Sequence, residues 1–184
     1  DLAVKYLEPE QYNNIECKLK QTAASRNKLI RDFSIPLKDK LEKLGFRFTI
    51  KSRTKSIHSI LLKMQKQGVE FDEVYDLFAV RIIIESDAAN EKSDCWRAYS
   101  LVTDLYQPNP SRMRDWISIP KSNGYESLHT TVVGPRGKWV EVQIRSTRMD
   151  EIAEKGLAAH FKYKGMRGEG GLDNWLVKMR EILE

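Results

Sequence analysis

Two cysteines in 184 residues, Cys17 and Cys95, stand at no metal-ligand spacing and could form one disulfide at most. A disulfide-stapled secreted scaffold and a cysteine-based zinc module are therefore both poor readings. No apolar run approaches the roughly 20 residues that a membrane-crossing helix needs, so no membrane partner is expected. Internal repeats and low-complexity linkers are missing, which argues against solenoids and disordered tails. The opening "DLAVKYLEPEQ" has neither an initiator Met nor the apolar core of a signal peptide. It reads as a piece of a longer chain working in a reducing cytoplasm. Several familiar catalytic patterns are missing too: a Gly-rich phosphate loop, an Asp-His-Glu metal spacing and a Ser-His-Asp order.

What is present is a soluble, globular composition, 41% hydrophobic and 31% charged. Lys and Arg number 31 against 26 Asp and Glu, a net charge of +5. A basic surface suits polyanions such as nucleotides or nucleic acids, though an ordinary soluble surface would account for so moderate an excess equally well. The hydrophobic spacing predicts a helix over about Glu10 to Arg31, with Tyr12, Ile15 and Leu19 on one side. Ser34 and Pro36 read as cap and first-turn proline of a second helix, carrying Leu37, Leu41 and Leu44 and stopping at Gly45. "FRFTIKSR" alternates as a strand, and Ser56 to Gln67 forms an amphipathic helix with Ile57, Ile60, Leu61 and Met64 inward. "DLFAVRIII" is apolar enough to be a central strand buried on both faces. Asp94 to Tyr106 is a helix. "RDWISIP", "SLHTTVVGP" and "KWVEVQIRS" are strands, the last two joined across the hairpin signal "GPRG". Thr147 to Lys162 is helical, and Asp173 opens a last helix. The implied class is α+β, a mixed sheet of about five strands covered by helices. Three regions follow: a helical 1–44, a catalytic core 45–164 and a terminal helix 165–184.

Three constellations could carry chemistry. Lys55, Ser59 and Lys63 fall at i, i+4 and i+8, with Arg53 just before them. Cations and a hydroxyl near a helix N-terminus suit a polyphosphate, whereas lysines at these spacings are also common on solvated helix faces. Asp76 begins the most apolar strand, where a carboxylate is costly unless paired or metal-bound. In "WVEVQIR", Val140, Val142 and Ile144 face one way and Glu141, Gln143 and Arg145 the other. Two carboxylates on neighbouring strands could hold Mg²⁺ between phosphates and still activate a hydroxyl. An N-cap role for Asp76 and a surface ladder for Glu141 explain the same letters. Finally, "KSNGYESLH" places Lys121 and Asn123 in a turn, then Tyr125, whose ring could stack on a base. His129 alternates with Ser127 and Thr131, as a phosphate contact or as a satisfied core histidine.

"RTKSIHSILLKM", "FDEVYDLFAVRII", "DWISIPKSNGYESLHTTVVGP", "VEVQIRS" and "MDEIAEKGLAAHFKYK" occur in this order. Together they resemble the synthetase domain of the RelA/SpoT (p)ppGpp synthetases, from about Arg53 to Lys164. The resemblance implies a nucleotidyltransferase-like fold in a bacterial cytoplasmic enzyme of the stringent response. It also implies transfer of pyrophosphate from ATP to the ribose 3′-OH of GDP or GTP, with Mg²⁺ or Mn²⁺ as cofactor. It would put Arg53, Lys55, Ser59 and Lys63 on ATP, Asp76 on the metal, and Glu141 on the metal or on the hydroxyl proton. Tyr125 would lie under guanine, with Lys121, Asn123 and His129 around the acceptor and Gln143 and Arg145 as secondary contacts. DNA is not an expected partner, and a ribosome would be reached only through a full-length protein.

The sequence departs from the family pattern in places. Glu126 stands where the family commonly has Gln, and Phe161 replaces a usual Trp. A second adenine-stacking arginine after Arg81 has no evident position. "RMRD", Arg112 to Asp115, resembles the basic form of a motif found in bifunctional members, while a His-Asp hydrolase motif is missing. Two other classes remain as alternatives: a catalytically silent nucleotide-binding regulatory module, or a basic RNA-binding domain. Neither explains two carboxylates on apolar strands.

Overall fold

The computed structural model describes residues 1–74 and 77–155. The terminal helix expected from Asp173, and the stretch of the preceding one beyond Lys155, lie outside them. Three helices come first: α1 (Leu2–Leu7), α2 (Pro9–Gln21) and α3 (Ala23–Lys43). The helical N-terminal region is as expected, but its division is not. The chain breaks at Thr22, and α3 runs straight through Ser34 and Pro36. An interior proline removes one helical hydrogen bond and costs about 3 kcal/mol. Phe33, Leu37 and Leu41 sit at i, i+4 and i+8 on one face and are fully buried. Each such side chain contributes about 1.5–3 kcal/mol by leaving water, so the packed face outweighs the proline. Phe33 also stacks on Tyr106, with ring centroids 4.3 Å apart, and its carbonyl accepts the Tyr106 hydroxyl at 2.8 Å.

β1 (Phe48–Thr54) leads into α4 (Ile57–Gln67). Ser56 caps that helix by accepting the Ser59 N–H at 3.2 Å, and Gly68 ends it in the left-handed conformation at φ 62°. β2 (Phe78–Ile84) is the buried strand expected from its composition. α5 (Glu91–Leu105) starts one turn earlier than its apolar pattern indicates.

"RDWISIP" is not a strand along its length. Only β3 (Arg114–Asp115) pairs with a neighbour. Asp115 then turns its carboxylate back on the chain, accepting the N–H groups of Ile117 (3.0 Å) and Ser118 (2.9 Å). Such a local side-chain bond competes with strand pairing, and it leaves Ile119 74% exposed. β4 (Leu128–Val133) and β5 (Trp139–Ser146) form the expected hairpin, and α6 (Thr147–Lys155) follows.

The strand order is β1-β2-β5-β4-β3, with β2 and β5 parallel and the other pairs antiparallel. One face of this mixed sheet is apolar. Val80, Ile82, Ile84, Val140, Val142, Ile144, Leu128 and Val132 meet α3 and α5 there in a single core. Strand alternation sends the intervening side chains to the opposite face, and these are mostly polar. Among the described residues no helix is long and apolar enough to cross a membrane.

Candidate active site

The register lines up two rows of side chains on the polar face. One row runs Lys51, Arg81, Gln143, His129, Arg114 across all five strands. The next runs Arg53, Ala79, Glu141, Thr131. The face that "WVEVQIR" implied is thus one part of a wider polar surface. A cavity of about 380 Å³ opens on it, lined among others by Arg112, Arg114, His129, Thr131 and Glu141.

A chain of hydrogen bonds fixes the β5 side chains. Arg145 Nη2 donates to Gln143 Oε1 at 2.8 Å, and Gln143 Nε2 donates to Glu141 Oε1 at 2.8 Å. Arg145 Nη2 also reaches the Tyr125 hydroxyl at 3.3 Å. That hydroxyl lies 2.7 Å from His129 Nε2, and His129 Nδ1 lies 3.7 Å from Glu141 Oε1. Burial pushes the His129 pKa down to about 4, and the positive field of Arg145, Lys121, Lys55 and Arg81 adds to the effect. His129 is therefore neutral at pH 7, and its approach to Glu141 is no ion pair. The tautomer that suits both neighbours carries its proton on Nδ1, towards the carboxylate.

The turn before β4 delivers Tyr125. Asn123 Oδ1 accepts the Tyr125 N–H at 3.1 Å, so this side chain shapes the turn. Lys121 Nζ sits 5.3 Å from the Tyr125 ring centroid and 4.7 Å from that of Trp116. Arg145 Cζ lies 5.4 Å from the Tyr125 ring. Both cations lie within cation–π range of this electron-rich ring.

On the other side, Arg53 projects from β1 and is exposed. Lys55 is half-buried, its backbone N–H bonded to Leu77 O at 3.0 Å. It precedes the Ser56 cap, so Lys55, Ser59 and Lys63 do not share one helix. Ser59 and Lys63 are in α4, and the Ser59 hydroxyl lies 2.8 Å from that of Ser56. Asp76 lies outside the described residues.

Sequence reasoning missed Arg81 and Asp150. Arg81 donates through Nη1 to Asp150 Oδ1 (3.2 Å) and Glu154 Oε1 (2.6 Å), both on α6. Asp150 also meets Lys51 at 3.5 Å and Arg145 at 3.5 Å. Arg81 and Arg145 are almost fully buried, and among the described residues Arg81 Nε, Arg145 Nε and Arg145 Nη1 have no hydrogen-bond partner. A signal for Arg81 was there: it is the one charged letter between Leu77 and Ile84, the argument already applied to Asp76.

Mg²⁺ takes oxygen ligands and is held by one or two carboxylates together with substrate phosphates. Glu141 supplies a donor of that type on the polar face. No group of three or more His, Cys, Asp or Glu able to hold a metal occurs among the described residues. One carboxylate completed by substrate phosphates is a binding mode that Glu141 fits.

The five-stranded mixed sheet, with a carboxylate and buried guanidinium groups on one face, has the nucleotidyltransferase-like fold of solved alarmone synthetases. Residues 52–167 match the family model described as the region found in RelA / SpoT proteins, and the chain belongs to that family. It is 40% identical to a GTP pyrophosphokinase of Myxococcus xanthus over 98% of this chain and 24% of the relative. It is 38% identical to a guanosine-3′,5′-bis(diphosphate) 3′-pyrophosphohydrolase of Aquifex aeolicus over 100% of this chain and 26% of the relative. The chain thus spans about a quarter of the length of these relatives. Among solved structures, small alarmone synthetase 2 from Bacillus subtilis superposes with a TM-score of 0.58 at 26% identity, covering 91% of both chains. Small alarmone synthetase 1 from the same organism, bound to its product pppGpp, has the same fold, with a TM-score of 0.58 at 18% identity over 91% of this chain and 98% of that one.

Proposed function

We propose that this domain transfers pyrophosphate from ATP to the ribose 3′-OH of GDP or GTP, releasing AMP and forming (p)ppGpp. The observation that carries the reading is the polar sheet face, where Glu141 stands among buried guanidinium groups with unsatisfied N–H donors. Buried donors without acceptors are costly, and phosphate oxygens are the acceptors that suit them. Relatives named GTP pyrophosphokinase support the same chemistry.

The 3′-oxygen attacks the β-phosphorus of ATP in line, and the bond from that phosphorus to the α–β bridging oxygen breaks. AMP leaves with the bridging oxygen, and the hydroxyl proton passes to the Glu141 carboxylate and from there to solvent. Little covalent work falls to the protein, so positioning and charge neutralisation dominate. Arg53, Lys55, Ser59 and Lys63 take ATP. Tyr125 supports guanine, Lys121 and His129 flank the acceptor, and Arg145 and Gln143 orient Glu141. Asn123 acts through the turn that presents Tyr125. Glu141 is the carboxylate at the reacting oxygens, with Asp76 as the second acid. Mg²⁺ or Mn²⁺ held by these acids and the phosphates would neutralise phosphate charge.

Incubation with ATP, GDP and Mg²⁺ is expected to yield AMP and ppGpp, read by anion-exchange chromatography. Glu141→Gln is expected to cut turnover at least 100-fold with the fold retained. No AMP at any metal concentration refutes the proposal, and salt-sensitive RNA binding in its place would favour the RNA-binding alternative.

A further inference from the structure

Glu126 follows Tyr125 directly, so the two side chains leave the segment in different directions. Tyr125 turns to His129 and Arg145, whereas Glu126 turns to Arg148 on α6. Arg148 Nη1 donates to Glu126 Oε2 at 2.6 Å, and Arg148 Nε donates to Glu91 Oε2 at 2.8 Å. Glu91 is buried at the start of α5, and its other oxygen accepts the Ser146 hydroxyl at 2.6 Å. One guanidinium thus clamps two carboxylates from different elements, and β5 closes the circuit.

The other ties of the segment carrying Tyr125 run within its own turn and to the sheet, where Tyr125 meets His129 and Arg145 and the Ser127 hydroxyl donates to Ile144 O at 3.2 Å. Residues 124–127 belong to no strand. Their backbone is held at one end by the turn, through Lys121 N–H to Tyr125 O at 3.1 Å, Gly124 N–H to Lys121 O at 2.8 Å and Tyr125 N–H to Asn123 Oδ1 at 3.1 Å, and at the other by Trp116 N–H to Ser127 O at 3.0 Å. From the protein side, the Glu126–Arg148 pair connects this segment to the helical layer. The two side chains are 17% and 27% exposed, so the pair is largely shielded from water and salt.

We infer that Glu126 and Arg148 are positioning residues that set the acceptor platform, Tyr125, against the sheet. The inference rests on the pyrophosphokinase reading for the identity of the acceptor. The negative charge of Glu126 is spent on Arg148 and does not face the incoming nucleotide. This pair is a property of this chain's Glu126, and it makes guanine-nucleotide affinity depend on a contact on the far side of the loop. Small displacements of a positioned group can cost up to about 100-fold. For loss of one of the segment's anchors we expect about tenfold.

The test is calorimetric titration of GDP, with KM measured for GDP and for ATP, in the wild type, Glu126→Ala, Glu126→Gln and Arg148→Lys. Glu126→Ala is expected to raise the GDP Kd and KM about tenfold and to leave the ATP KM within twofold. Glu126→Gln keeps an acceptor oxygen and is expected to return GDP affinity to within threefold. Arg148→Lys keeps the charge but cannot span both carboxylates, and is expected to weaken GDP about threefold or more. A purely structural role would shift the melting temperature and move both KM values together. Should Glu126→Ala fail to fold, Arg148→Lys and Glu126→Gln decide alone, and unchanged GDP affinity in Arg148→Lys overturns the inference. A wild type that binds no guanine nucleotide overturns both readings. A wild type that binds GDP as tightly as Glu126→Ala does overturns this one only.

Discussion

Neutral His129 makes a quantitative claim about pH. Burial and the surrounding cations hold its pKa at about 4, against 6.5 for the free side chain. Between those values the unfolded chain binds a proton that the folded chain does not. Stability therefore falls as pH falls from 6.5 towards 4, and this contribution is fully lost below about 4. Each unit of difference is worth about 1.4 kcal/mol, so the full loss is about 3 kcal/mol. Between pH 7 and pH 4.5 about 2 kcal/mol of it should be visible. The measurement is urea denaturation of the wild type and His129→Gln at both pH values, at equal ionic strength. Glutamine keeps a polar side chain at the site and cannot titrate. Carboxylates contribute to both proteins alike, so the difference between their pH slopes isolates the histidine. The wild type is expected to lose about 2 kcal/mol more than the variant. Equal losses would show that the folded chain leaves the His129 pKa near its free value, and would refute the reading that burial keeps this imidazole neutral down to about 4.

Other changes bear on the same face. Asp150→Asn removes the carboxylate shared by Arg81, Arg145 and Lys51. Stranding buried guanidinium groups costs about 3 kcal/mol or more, expected as a lower urea midpoint at unchanged m-value; a loss under about 1 kcal/mol would show that Glu154 suffices for Arg81. Tyr125→Ala is expected to raise the acceptor KM about tenfold or more, since stacking is worth about 1–3 kcal/mol per base. An equal rise in the ATP KM would argue against a guanine platform.

Much of the fold could be read where local and long-range preferences agree. Ser56 and Gly68 bound α4 because cap chemistry and apolar spacing coincide there. The alternation in "WVEVQIR" gave the right face because both neighbours of β5 hydrogen-bond in register with it. Reading failed where a local signal lost to packing, or packing to a local signal. Pro36 reads as a helix start, yet three buried side chains carry α3 past it. "RDWISIP" alternates like a strand, yet one Asp115 carboxylate folds the chain back first. Arg81 could be suspected from its own letters, but Asp150 could not. Its carboxylate matters because α6 packs against β2, and the pair is 69 residues apart in sequence.

That separation bears on how the site works. α6 presents Arg148 to the acceptor segment and Asp150 to Lys51, Arg81 and Arg145 on three strands. Two residues apart on one helix, these side chains reach different neighbours, Arg148 the acceptor segment and the start of α5, and Asp150 the cations of the polar face. Asp150 pairs with the buried Arg81 and Arg145 and with the exposed Lys51, and in the proposed reaction incoming phosphates compete for the same cations. In the proposed transfer, polyphosphate binding on the sheet and the fixing of Tyr125 therefore draw on a single element. The proposed transfer aims a hydroxyl at a phosphorus, each carried by a different nucleotide, and gains from having both holders referred to one helix. Positioning is most of what such a transfer asks of a protein.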